Sequence, residues 1–367
     1  MEHPIPTAWD DLLKDINSPE DWQKKNIEIK KRFNKLLRME AAPEIPADLQ
    51  IKIENEWLTD GFRVKYVSYN VEEDERAHAY LAIPDLVVPA GGFPGVVCIH
   101  GTTNWGARRT LGIPPDPNDP QKHKSMTGLD CARNLVRKGF VTISPEHFCC
   151  ASRTPAEGPF DTAAFYRKHP NWSAVGKATY ENSLALSVLA SQPEVNAGRV
   201  GATGNSLGGH GSIWLGAYDE RVKCVVASCP GGTFRENNQV LEWSRTKSYI
   251  YLPQLREQLL AGKEVECDFH EMMALIAPRP CLEMFALNDT MCGSTFLMNE
   301  HKVMLHLRLA ELYHLLGQDG AHAFLVFGDG HQVPDLSRAA TLSFMERWLK
   351  YDGNPFGGWD SRLHKPG

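Results

Sequence analysis

Six apolar runs, each too short for a helix, recur from residue 95 onward: Gly95–Ile99, Phe140–Ser144, Arg199–Thr203, Val222–Ser228, Cys281–Leu287 and Ala323–Phe327. Between them lie helix-like patterns at Met126–Lys138, Ala174–Ser191, Leu207–Ala217, Phe269–Ile276 and Phe296–Leu316, with a last amphipathic one at Asp335–Lys350. Strands apolar on both faces and separated by helices demand a mostly parallel sheet covered on both sides. That excludes a sandwich, a bundle and a repeat array. The predicted fold class is therefore α/β.

Upstream the texture differs. Gly61–Val71 and Ala77–Ile83 flank the acidic turn Glu72-Glu73-Asp74-Glu75 and read as an antiparallel hairpin extending one sheet edge. Before it, Trp22, Ile27, Ile29, Phe33, Leu36 and Leu37 recur at three- and four-residue steps, and Ser18-Pro19-Glu20-Asp21 reads as a helix start. The expected organisation is a helical extension over residues 1–50 and a catalytic domain over 51–367, with loop insertions near 102–125 and 146–172. The extension packs on the main body or makes an oligomer contact, and a homo-oligomer stays open.

At 367 residues the chain can bury a large core, and 42% of it is hydrophobic. The net charge of −6 is spread without a basic stripe, so no nucleic-acid partner is expected. No stretch approaches the roughly 18 apolar residues of a membrane span, and no signal-like segment opens the chain. Nine scattered cysteines suggest a reducing compartment, hence a cytoplasmic location, rather than a disulfide framework. Cys149 and Cys150 are adjacent, but no matching pair supports a metal site. No cofactor or metal is expected.

Gly204-Asn205-Ser206-Leu207-Gly208 joins a predicted strand to a predicted helix. This Gly-x-Ser-x-Gly pattern, in that context, lifts a serine hydroxyl clear of the sheet on a sharp turn. Ser206 is the candidate nucleophile, and the Leu207 N–H at the helix start is one candidate oxyanion donor. A phosphate-binding turn is the competing reading, but no P-loop lysine follows Gly211. His331 stands in Gly328-Asp329-Gly330-His331, just past the last strand, where a neutral imidazole could act as base. Asp289, closing the strand before it, is the candidate acid that orients the imidazole, with Glu283 or Asp329 as substitutes. The loop after Ile99 begins His100-Gly101-Thr102, which makes the Thr102 N–H the second oxyanion donor and His100 a structural residue. Trp105, Arg108, His147, Phe148 and Arg153, on the two long loops, are candidate pocket residues for a sugar, an aryl group or a carboxylate.

With these motifs in the order Ser206, Asp289, His331, the chain resembles the α/β-hydrolase superfamily. Within it, Ala277-Pro278-Arg279-Pro280 and the stretch from Asp268 look like bacterial esterases related to dienelactone hydrolases and acetyl xylan esterases. The resemblance runs from about Trp57 onward. It implies a serine carboxylic-ester hydrolase acting through an acyl-enzyme on small ester substrates, short acyl esters of carbohydrates leading. A peptidase of the prolyl-oligopeptidase-like type and a non-catalytic hydrolase-fold binding protein are the alternatives. Two departures stand out: Glu146–Arg153 differs from the aspartate and glycines common there, and the arginine-containing serine motif of glucuronoyl esterases is missing.

Overall fold

The structure, a computed structural model, describes residues 5–114, 128–236, 240–291 and 296–353. Nine strands among them form one sheet in the order β1-β2-β3-β5-β4-β6-β7-β8-β9. They are β1 Lys52–Thr59, β2 Phe62–Glu72, β3 Glu75–Pro84, β4 Phe93–Ile99, β5 Val141–Pro145, β6 Val195–Asn205, β7 Val222–Ser228, β8 Cys281–Ala286 and β9 His322–Phe327. The pairs β1–β2, β2–β3 and β3–β5 are antiparallel, and every pair from β5 to β9 is parallel. Strands β4, β5 and β8 are buried along their whole length, which accounts for their unbroken apolar runs. The expected α/β class, with an antiparallel edge, is the observed one.

Helices cover both faces. Those used below are α1 Pro19–Leu37, α2 Cys131–Arg137, α3 Ala163–Lys168, α4 Ala174–Ala190, α5 Leu207–Tyr218, α6 Val240–Trp243, α7 Pro253–Leu260, α8 Phe269–Ala274, α9 Phe296–Leu315 and α10 Asp335–Leu349. One face of the sheet packs into a core with α1, α4, α5 and α8, including Phe33, Val97, Leu186, Ile213 and Met272. The other packs with α2 and α10 through Val96, Leu135, Val226, Phe344 and Met345.

The amino-terminal helix starts where its sequence says it should. Ser18 Oγ accepts from the Asp21 N–H at 3.2 Å, and Pro19 takes the first helical position, where its missing donor costs nothing. Trp22, Ile29, Phe33, Leu36 and Leu37 are buried on one stripe. Arg32 also grips Glu271 of α8 with both terminal nitrogens, one at 3.0 Å. This arm completes the core of its own chain.

Four elements depart from the expectation. Strand β1 is an edge strand whose Ile53 and Leu58 face solvent, so no buried face marks it in the sequence. Helix α3 lies inside what reads as a continuous loop over 146–172. The segment between β7 and β8 also carries the unexpected helices α6 and α7.

Under the 146–172 segment lies a buried ionic cluster. Arg153 holds Glu181 at 2.5 Å and also bonds Glu75. Lys177 reaches Glu72 at 2.5 Å, Glu181 at 2.9 Å and Glu75 at 3.0 Å. Removing Arg153 leaves Glu75 and Glu181 to share Lys177, a buried cluster short of one positive charge, which costs about 3–5 kcal/mol. Arg153→Met is therefore expected to lower the apparent Tm in a calorimetric scan by several degrees. A Tm within about 1 °C of wild type would show that the cluster adds little.

Candidate active site

The turn after β6 puts a residue with a side chain where few residues fit. Ser206 has φ 59° and ψ −122°, a strained conformation for any residue with a Cβ. It is held there by its N–H, which donates to the Ser228 carbonyl at 2.9 Å, and by α5, which begins at the next residue. The backbone passes so close to β4 that only glycine fits beside it. A Cβ on Gly208 would lie 2.0 Å from the Ile99 carbonyl oxygen, and one on Gly204 would lie 2.4 Å from the same atom. Thus both glycines of the motif serve close packing of the turn against the neighbouring strand.

Ser206 lines a cavity of about 760 Å³ at the carboxyl ends of the parallel strands, where sheets of this kind present ligand sites. His331, Leu207 and Thr102 line the same cavity. Leu207 is the first residue of α5, so its N–H has no acceptor within the helix and lies in the positive field of the helix start. His331 donates from Nδ1 to Asp289 Oδ2 at 2.7 Å. Asp289 is 2% exposed, whereas His331 is partly open to the cavity. A hydrogen bond at Nδ1 fixes the tautomer and leaves Nε2 as the basic nitrogen.

The substitute acids lie elsewhere. Glu283 is buried 3.6 Å from His306, and Asp329 is exposed.

Two further histidines shape this site. His100 contacts the Gly101 carbonyl through Nδ1 at 2.7 Å and accepts from the His147 N–H at Nε2, 3.2 Å away. His210 contacts the Ser206 carbonyl through Nδ1 at 3.1 Å and accepts from the Gly231 N–H at 3.0 Å. Both rings are buried and committed to backbone. They tie the expected oxyanion loop and the serine turn to their neighbours.

Burial pushes the His100 pKa down to about 4 and that of His210 down to about 3, from an ordinary 6.5. The unfolded chain therefore binds protons below pH 6.5 that the native chain refuses, and stability falls as pH drops through that window. At pH 5 each ring costs about 2 kcal/mol, so the pair costs about 4 kcal/mol. Burial holds His147 and His322 down to about 3 in the same way, so the expected result is an unfolding free energy, from denaturant titration, lower at pH 5 than at pH 7.5 by at least about 4 kcal/mol. Equal values at the two pH values would contradict the neutral assignment.

The structure does not gather the expected pocket residues around Ser206. Trp105 and Arg108 line a separate cavity of about 490 Å³ with Trp57, Tyr66 and Tyr80. His147 stacks on Phe148 at 4.7 Å between centroids, and Phe148 packs on Phe165 in the interior. Arg153 belongs to the ionic cluster described above. The walls near Ser206 come instead from Arg109 and from Trp243, Arg245, Tyr249 and Tyr251, in the segment between β7 and β8. The aromatic run Tyr249-Ile250-Tyr251, after strand β7, was the available signal for that wall. The rest of the expected 102–125 insertion, residues 115–125, lies outside the described residues.

Among the described residues, one set of side chains has donor atoms close enough for a metal: Cys229, Asp289 and His331, all within 4.8 Å of one another. Burial pushes the Cys229 thiol up to about 12, so the thiolate a metal needs is costly. Asp289 and His331 are already bonded to each other. The set fits a hydrogen-bonded carboxylate and imidazole beside a buried thiol better than a cation site. Cys149 and Cys150 are likewise buried, with the Cys150 thiol pushed up to about 12 and donating to the Thr103 carbonyl. Among the described residues, no helix is long and apolar enough to cross a membrane.

No protein-family model matches the chain. The Bacillus subtilis (strain 168) protein named "Putative hydrolase YtaP" is 27% identical over 176 residues, which is 47% of this chain. The match spans only 54% of that protein's length. Among solved structures, a glucuronoyl esterase from Solibacter usitatus superposes with a TM-score of 0.69 at 16% identity, covering 94% of this chain and 97% of its own. A Bacteroides fragilis NCTC 9343 protein described as a "putative acetyl xylan esterase" gives 0.66 at 17% identity, covering 89% of this chain and 79% of its own. A glucuronoyl esterase from Teredinibacter turnerae T7901 gives 0.66 at 17% identity, covering 91% and 86%. Sheet order, the strained serine turn and these superpositions agree: the chain has the α/β-hydrolase fold.

Proposed function

We propose that this protein is a serine carboxylic-ester hydrolase working through an acyl-enzyme, with Ser206, His331 and Asp289 as its catalytic residues. The observation that carries this reading is the 2.7 Å bond between His331 and buried Asp289, on a cavity that also holds Ser206. In the proposed reaction His331 Nε2 takes the Ser206 proton as Oγ attacks the ester carbonyl carbon. The Leu207 and Thr102 N–H groups hold the oxyanion. When the tetrahedral adduct collapses, the carbon–oxygen bond to the alcohol breaks and His331 returns the proton to that alcohol. Water, deprotonated by His331, then attacks the acyl-enzyme and frees the acid and Ser206. Each step balances without metal or cofactor.

Short acyl esters, those of carbohydrates first, are the substrates this reading favours. Its support is that proteins of similar fold bear the names of glucuronoyl and acetyl xylan esterases, together with the open cavity at Ser206. A cytoplasmic location belongs to the same proposal and rests on the cysteine usage alone.

Turnover of a panel of acetyl esters against aminoacyl 4-nitroanilides tests the reaction class. The expected kcat/KM is at least about a hundredfold higher for the esters. Faster amide turnover would favour the peptidase reading, and no turnover of either would favour a binding protein.

A further inference from the structure

The cavity around Ser206 has a charge bias that the hydrolytic chemistry does not need. Among the described residues, Arg109, Arg245 and Arg338 line it, and no aspartate or glutamate does. This happens in a chain whose formal net charge is −6. The three arginines are not equivalent. Arg338 pairs with Asp335, and Arg245 lies over the Tyr249 ring at 5.5 Å. Arg109 has no ion pair among the described residues; its guanidinium lies 5.8 Å from the Trp105 ring, and its Nε is buried without a hydrogen-bond acceptor.

A cation taken partly out of water without an acidic partner is destabilising, and the effect shows in its proton affinity. Burial pushes the Arg109 pKa down, with no carboxylate to oppose it. Its mounting is firm. Arg109 sits on the short 3₁₀-helix Gly106–Leu111, where the next residue, Thr110, donates to the Ala107 carbonyl at 2.8 Å and bonds Ser144 Oγ at 2.6 Å. A guanidinium so placed offers a planar fork of donors whose natural complement is a carboxylate. Among the described residues that line the cavity there is no acid to compete for it.

We propose that the ester cleaved at Ser206 carries a free carboxylate, and that Arg109 binds it and sets this preference. The proposal deepens the esterase reading and rests on it for turnover, but not for binding.

Two matched substrate pairs test it: 4-nitrophenyl hemisuccinate against 4-nitrophenyl butyrate, with the carboxylate on the acyl side, and 4-acetoxybenzoate against its methyl ester, with the carboxylate on the leaving group. Wild type should favour the carboxylate-bearing member of at least one pair in kcat/KM. Arg109→Met should cut that preference about 10- to 100-fold, the worth of a charge-assisted fork. Arg109→Lys, which keeps the charge but not the fork, should retain part of it. Circular dichroism shows whether each variant folds, and the lysine variant serves if the methionine variant does not. The absence of any preference in wild type, or a ratio unmoved by either substitution, overturns the proposal.

Calorimetric binding to Ser206→Ala separates the two readings. There 4-acetoxybenzoate should bind at least about tenfold tighter than its methyl ester. Tighter binding of the anion without turnover by wild type sinks the esterase reading and keeps the anion site. Turnover with equal binding of the two probes sinks the anion site alone.

Discussion

Ser206→Ala is expected to lower kcat on 4-nitrophenyl acetate by about 10⁴- to 10⁶-fold and to leave the fold in place. The hydroxyl is the group that forms and breaks the covalent bond in the proposed reaction, so nothing else in the cavity replaces it. What survives is the modest acceleration given by oriented donors and binding alone. Alanine keeps the Cβ that the turn already tolerates at φ 59°, and the Ser206 N–H to Ser228 bond is made by backbone. The unfolding transition is therefore expected within about 2 °C of wild type. Steady-state kinetics and a thermal scan check both halves. A variant with more than a tenth of wild-type kcat would remove Ser206 from the mechanism.

Asp289→Asn should cost about 10⁴-fold in kcat with little change in KM. In the proposed reaction the carboxylate at 2.7 Å from His331 Nδ1 both selects the tautomer with a free Nε2 and balances the imidazolium that forms in the transition state. Asparagine has the same shape but can donate to Nδ1, which favours the wrong tautomer and puts the proton on Nε2. Because these effects arise in the transition state, kcat and kcat/KM should fall together. The control is Glu283→Gln. Glu283 faces His306 rather than His331, so its kcat should stay within about twofold of wild type, whatever it does to stability. A larger loss for Glu283→Gln than for Asp289→Asn would reassign the acid.

The sheet was readable because its parallel strands are buried on both faces, and burial on both faces writes an uninterrupted apolar run into the sequence. Residues Val222–Ser228 were read with the same ends that the structure shows. Strand β1 left no such trace, since Ile53 and Leu58 sit at an exposed edge. The serine motif was readable for a steric reason. Gly204 and Gly208 are demanded by the Ile99 carbonyl, so the contact between two strands is recorded in five consecutive residues. Pairing His331 with a carboxylate needed only their places at the ends of adjacent strands, β9 and β8.

The pocket wall was not readable in that way. Arg153 stands among aromatic residues in a long loop and looks like a ligand-binding cation. Its partners, Glu75 and Glu181, lie 78 and 28 residues away, and only the folded chain reveals that they claim it. Conversely, Tyr249 and Tyr251 are brought to the cavity by a segment that has no periodic pattern. Arg109 and Arg108 are neighbours in sequence, yet one lines the cavity at Ser206 and the other the cavity beside Tyr80. On a 3₁₀-helix one residue of offset turns a side chain to a different side, and composition is blind to that.

The proposed catalytic convergence is tested most directly by treating the native protein with a reactive phosphonate ester and mapping the adduct by peptide mass spectrometry. One equivalent should attach, on Ser206, and His331→Ala should slow the labelling at least about a thousandfold. An adduct on a different residue, or labelling of Ser206 at the same rate without the imidazole, would contradict it.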